Sequence, residues 1–282
     1  MIVTVSNGSV LDTTRMELVE NQTVVMEGDR IVDLVDGPAS VDVDLDIDAA
    51  GQFVLPGFID AHVHHFIVTM NFPRLIAMTD VEHGIAMARL AEGNVRRGFT
   101  TVRDTGGDLR GLKKAISNGL CSGPRIVSAG RMLSQTGGHG DMRPASEAVS
   151  SCGCQIHMDR ASFVVDGVDS CRKAARQALR DGSEFIKIMS SGGVASPSDP
   201  FDAIQYTAEE VRAITTETDH RHTYTTAHAY LPDAIRQAVD NGVTCIEHGN
   251  GIDAEIAAHM ACLLYTSPSP RDATLSRMPS SA

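Results

Sequence analysis

From Phe53 onward the chain alternates short apolar runs with amphipathic stretches, and this rhythm limits its fold more than any other feature. The β-branched runs lie at 53–59, 100–103, 125–129, 185–189, 224–229 and 244–247. Helical periodicity falls between them, at about 80–97, 108–118, 166–181, 207–219 and 231–241. Several stretches end in a residue followed by glycine, as in Arg97-Gly98, Asn118-Gly119, Asp181-Gly182 and Asn241-Gly242, the mark of a left-handed C-terminal cap. Short buried strands joined by helices require a parallel sheet, either doubly wound or closed as an (α/β) barrel. Residues 131–165 have weak periodicity and are expected to form a long loop, and long loops in compact domains are often functional.

Before Phe53 the pattern is all β. Met1–Val5 is β-rich, Ser6–Ser9 reads as a turn, and Thr23–Met26 followed by Glu27-Gly28-Asp29 and Arg30–Val35 reads as a hairpin. The expected domains are thus a small β module at 1–52 and a larger α/β domain at 53–262. With 282 residues, 42% of them hydrophobic, the chain is long enough to bury a core. Twenty-four Lys and Arg against 36 Asp and Glu give a net charge of −12, which disfavours nucleic acid and anionic membranes as partners. No stretch approaches the roughly 18 apolar residues of a membrane helix, and the N-terminus lacks a basic region followed by an apolar core. The six cysteines show no disulfide spacing, so a reducing, cytoplasmic location is expected. A homo-oligomer is left open.

The chemistry-bearing residues sit where parallel α/β folds place their sites, at the carboxyl ends of strands. His62 and His64 close the first long run; side chains two apart on a strand point the same way, so both can reach one metal. His228 ends Thr225-Thr226-Ala227-His228, and His248 ends Cys245-Ile246-Glu247-His248. Any one of these could be a hydrogen-bonded core histidine, but four at strand ends weaken that reading. A second pair, His220 and His222, is flanked by Asp219 and Arg221 and reads as solvated surface. Lys187 lies inside the apolar run Phe185–Met189, where a cation is costly unless compensated or removed. It could be a base or Schiff-base former of depressed pKa, a carbamate whose oxygens bridge two metals, or a structural lysine snorkelling outward. The four histidines favour the carbamate.

Three weaker signals complete the survey. Cys152, Cys154 and His157 could form a thiolate metal site, but their spacing is poor for zinc. Ser190-Ser191-Gly192-Gly193 reads as backbone lining a substrate pocket rather than a phosphate loop. The stripe Ile85, Met87, Ala88, Leu90 and Ala91 reads as helix packing.

The string Val54–His64 resembles the first-strand signature of the amidohydrolase superfamily. Thr136–Asp141, Lys187–Val194 and Thr226–Tyr230 resemble the imidazolonepropionase-related group that contains metal-dependent prolidases and other Xaa-amino-acid dipeptidases. This resemblance covers about residues 1–262. It implies a (β/α)8 barrel of the TIM type carrying a small β-sandwich. It also implies two divalent metal ions, zinc the usual one: His62 and His64 would hold one, His228 and His248 the other, and carboxylated Lys187 would bridge them. A metal-bridging hydroxide would then attack the amide of a small-molecule or dipeptide substrate. Tyr230 and His139 look like the group's substrate contacts and carbonyl-polarising residues, although His139 also reads as an exposed residue on a flexible Gly-rich loop. The alternatives are a cyclic-amide hydrolase of the imidazolonepropionase type, which the bridging lysine disfavours, and a truncated fragment that at most binds metal.

The fragment alternative has its own basis. The superfamily places an aspartate on strand 8, whereas here the rhythm of 53–262 holds six strand–helix units and a complete barrel takes around 250 residues. Asp272 has no strand before it. Leu263–Ala282 contains three of the 11 prolines and no glycine, reads as disordered, and resembles a translated adaptor or vector sequence.

Overall fold

Proline and glycine decide where the first long apolar run breaks. In the computed structural model, which describes residues 1–143, 160–194 and 199–265, the run expected over 53–59 is two strands separated at Pro56-Gly57. Proline offers no N–H to a ladder. Contacts divide the chain into the units Met1–Phe58 and Ile59–Ala282.

The first unit is one five-stranded sheet. β1 (Ile2–Asp12), β2 (Glu17–Glu27) and β3 (Arg30–Asp36) form an antiparallel meander; β4 (Leu45–Asp48) and β5 (Phe53–Val54) pair parallel to β1. The turn expected at Ser6–Ser9 is absent, because β1 runs straight through it. Its small polar residues are absorbed as register shifts around Gly8, with Asn7 at φ 54°, the way a bulge accommodates surplus residues in a continuous ladder.

The second unit carries two parallel sheets. One has the order β6 (Phe58–Val63), β7 (Phe99–Asp104), β8 (Arg125–Ser128). The other runs β10 (Ser162–Val164), β9 (Met132–Ser134), β11 (Ile186–Met189), β12 (Thr225–Ala229), β13 (Cys245–His248). Every neighbouring pair from β9 to β13 is parallel. The helices are α1 (Phe72–Ala77), α2 (Asp80–Arg96), α3 (Arg110–Ser117), α4 (Val168–Arg180), α5 (Ala208–His220), α6 (Pro232–Asp240) and α7 (Ala254–Tyr265). All five expected helices are found within two residues of their expected ends. The four glycines that follow them have φ between 70° and 96°, the region where a side chain would be strained.

Local chemistry sets the helix starts. Thr79 with Glu82 opens α2, and Thr207 with Glu210 opens α5, each as a reciprocal capping box. Pro232 occupies the first turn of α6, where a missing N–H costs nothing. Strand residues Leu133, Ile186, Ile188 and Ala227 pack against Ala174 and Ala175 of α4 and Val211 and Ile214 of α5. These small and branched side chains bury the helices closely against the sheet.

Two expectations need correction. The segment 131–165 is not all loop: β9 and β10 lie at its ends, too short to register as periodicity. In α2 only part of the stripe packs, since Met87, Ala88 and Ala91 join a core cluster while Ile85 and Leu90 are exposed. His220 and His222 are exposed, as expected. Cys152, Cys154 and His157 lie outside the described residues, as does the tail beyond Tyr265; α7 ends at Tyr265, so the first three residues of the tail expected to be disordered are helical. No described helix is long and apolar enough to cross a membrane.

The core makes a direct prediction. Ile214 is fully buried, so Ile214→Ala should cost about 2–5 kcal/mol. Urea denaturation measures this, and a loss below ~1 kcal/mol would show that α5 is not held by this contact.

Candidate active site

Parallel register brings the strand ends to one level. Met189 pairs with His228 and Ala229 with His248, so the last residues of β11, β12 and β13 lie at the same rim. His62 and His64 arrive from β6, with ring centroids 5.2 Å apart. The rings continue as a chain: His62 to His248 at 4.8 Å, His248 to His228 at 4.7 Å, and His228 stacked on His139 at 4.2 Å. Tyr230 meets His228 at 4.6 Å and His248 at 5.2 Å, and Phe201 stacks on Tyr230 at 4.7 Å. His248 has φ 74°, a conformation a histidine adopts at a cost and therefore a mark of a constrained site. The five histidines and Tyr230 singled out in the sequence thus lie together.

Lys187, on β11, is 1% exposed, which removes the snorkelling reading. Burial pushes the amine down to about 8, against the attraction of Glu247. The same loss of solvent pushes His64 down to about 4, His228 to about 2 and His248 to about 4. At neutral pH these imidazoles are uncharged, with lone pairs available.

Of the two readings of His139, the exposed one is overturned. Its side chain is 12% exposed and its Nδ1 lies 3.2 Å from Asp199 Oδ2; its backbone N–H donates to Gln205 Oε1 at 2.9 Å. The Gly-rich motif around it is pinned rather than loose. Thr136 donates to Asp166, and Gly137 N donates to Asp141, which Arg143 grips through two nitrogens. Gly193 faces the ring so closely that a Cβ there would lie 2.0 Å from His139 Cε1.

Four residues of the site were not anticipated. Glu247, on β13, accepts from His62 Nδ1 at 2.6 Å and from Arg103 Nη2 at 2.6 Å. Hydrogen bonds from His62 and Arg103 outweigh burial and hold Glu247 well below the usual carboxylate range. Both residues carried the signal that marked Lys187, a charge inside an apolar run. Asp199 and Phe201 come from a stretch without period, and nothing in the sequence marks them.

Among the described residues, no three His, Cys, Asp or Glu side chains are disposed as a ready metal site. His62 Nδ1 is turned to Glu247, His228 Nε2 lies 3.1 Å from the Gly192 carbonyl, and position 187 carries an amine where a bridging anion would stand. The residues nonetheless fit two metal ions. Three of the four candidate imidazoles are held neutral by burial, and carboxylation would give the buried amine one negative charge shared over two oxygens.

The amidohydrolase family matches residues 53–279. The chain belongs to this family. It is 42% identical to a prolidase whose crystal structure contains N-methylphosphonate-L-proline, with a TM-score of 0.87 over 93% of this chain and 64% of that one. A Xaa-Pro dipeptidase structure with bound methionine is 29% identical, with a TM-score of 0.82 over 93% and 65%. The ochratoxinase of Aspergillus niger is 31% identical over 215 residues, 72% of this chain and 44% of that protein. The amidohydrolase chain described here therefore spans less than half of that curated relative and just under two thirds of the similar solved chains. The family expected from Val54–His64 and the Gly-rich motifs is the family found.

Two measurements probe the site. An amine with a lowered folded pKa leaves the unfolded chain holding more protons between pH 8 and 10.5, so stability rises with pH across that window. Lys187→Met should remove that rise and, in carbon-dioxide-free buffer at pH 7, gain ~3 kcal/mol by urea denaturation. A variant with the wild-type pH profile would show the amine is not desolvated. Gly193→Ala should displace the His139 ring from His228 at about 1–3 kcal/mol; a crystal structure with the stack intact would contradict this.

Proposed function

We propose that this amidohydrolase cleaves the amide bond of dipeptides, Xaa-Pro and related Xaa-amino-acid dipeptides first among them, using two divalent metal ions. Zinc suits histidine and carbamate ligands. His62, His64, His228, His248 and a carboxylated Lys187 would hold the ions. The observation that carries this reading is the gathering of four imidazoles at one rim together with a lysine buried to 1% exposure. The proline analogue in the similar prolidase supports the substrate class. We extend the reading to the architecture: β6, β7, β8 (continued by β9), β11, β12 and β13 are taken as the six strands of an incomplete (β/α)8 barrel, and the first unit's sheet as part of its β-sandwich.

When bound, the metals would polarise the scissile carbonyl and activate water. The chain's own residues do the rest. Tyr230 offers a hydroxyl to the carbonyl or to the terminal carboxylate. His139, with Nδ1 committed to Asp199, keeps Nε2 for the substrate. Phe201 and Tyr230 present stacked rings, an apolar wall against which a pyrrolidine or aliphatic side chain would exclude water. The cyclic-amide alternative is disfavoured by the lysine at position 187.

The test is hydrolysis of a dipeptide panel by purified chain loaded with zinc in bicarbonate buffer. Xaa-Pro turnover is expected, with Tyr230→Phe and His139→Gln each lowering kcat/KM about 10²–10³-fold. Zinc binding without turnover would overturn the hydrolase reading for this chain and leave a metal-binding fragment. Absence of zinc binding would overturn both.

A further inference from the structure

Glu247 is the most heavily engaged carboxylate near the rim. Its side chain is 7% exposed, and its two oxygens divide their partners. Oε1 accepts from Arg103 Nη2 at 2.6 Å and from Thr226 Oγ1 at 2.5 Å. Oε2 is given to His62 Nδ1 at 2.6 Å. An ion pair needed only for structure would use Arg103 and leave the second oxygen to any donor. Here the second oxygen takes a candidate metal ligand.

Arg103 is as tightly held as its partner. Its Nε donates to Tyr224 Oη and its Nη1 to the Ala61 carbonyl, both at 2.9 Å. Its guanidinium lies 4.7 Å from the Phe185 ring centre and 5.7 Å from that of Tyr224, a desolvated cation–π arrangement. The guanidinium therefore cannot swing away from Glu247 without losing several contacts, and the carboxylate plane is set from behind.

We propose that Glu247 is the positioning residue that fixes the tautomer and ring orientation of His62, with Arg103 as the clamp that aims it. With Oε1 taken by Arg103 and Thr226, Oε2 is left to accept from His62 Nδ1 at 2.6 Å, which places a proton on Nδ1 and leaves Nε2 as the nitrogen for a metal. Without that bond the ring would populate both tautomers and turn between the His64 and His248 rings beside it. Carboxylate support of this kind typically raises metal affinity about 10–100-fold. The inference rests on the proposed metal site but concerns a residue no ligand set includes.

The experiment uses the full 282-residue chain, with zinc affinity measured by chelator competition and folding by thermal melting. The metal-free protein is also examined by ¹⁵N NMR of the imidazoles. Glu247→Gln should stay folded, bind zinc about 10–100-fold more weakly, and show His62 as a mixture of tautomers where wild type shows Nδ1–H alone. If that variant fails to fold, Arg103→Met/Glu247→Met removes both charges together, and the same loss of affinity is expected. A folded variant with zinc affinity within twofold of wild type and an unchanged His62 spectrum overturns the proposal. If wild type binds no zinc, the proposed function falls, and the spectra alone decide: mixed tautomers in the variant uphold the role of Glu247, unchanged ones end it.

Discussion

The Arg103–Glu247 pair ties β6 and β7 to β13, and the arrangement of the rim depends on it. Arg103 holds the Ala61 carbonyl of β6 with one nitrogen and the Glu247 carboxylate with another. A buried ion pair of this kind adds little net stability over apolar packing, but losing one partner strands the other, at about 3–5 kcal/mol. Its value lies in geometry: it brings His62 of one sheet beside His248 of the other.

Burial then does two jobs with one cause. Low polarity strips protons from the imidazoles of His64, His228 and His248, and it lowers the Lys187 amine until an uncharged form is accessible. Neutral imidazoles are metal donors, and only a neutral amine can react with carbon dioxide. The compensating groups are placed with care: Glu247 lies close enough to attract Lys187, while Arg103 opposes it. The rim thus sets three imidazoles and an amine, discharged by desolvation, beside the carboxylate of Glu247.

Much of this architecture was legible in residue order. Helical period located α2 to α6, and a following glycine marked the ends of all but α5, because caps are local chemistry. β9 and β10, three residues each, were invisible because their pairing comes from neighbours distant in sequence. Ser6–Ser9 reads as a turn in isolation and is strand in fact, because β2 supplies a ladder along it. Lys187 and the histidines at strand ends stood out as polar groups in apolar runs. Glu247 and Arg103 carried the same anomaly, yet their meaning lies in each other, across 144 residues of chain. Asp199 and Phe201 had no signal, since a loop residue acquires its role only from what it folds against.

By itself, the sequence determined the alternation of strand and helix, the family, and the residue types that gather at the rim, since period, capping and the cost of buried charge are short-range properties. Tertiary structure decided which nitrogen of His62 is free, that His139 is pinned against His228 rather than exposed, and that a glutamate and an arginine hold the rim together. Hydrogen-bond direction and desolvation belong to three-dimensional neighbours, and no spacing along the chain specifies them.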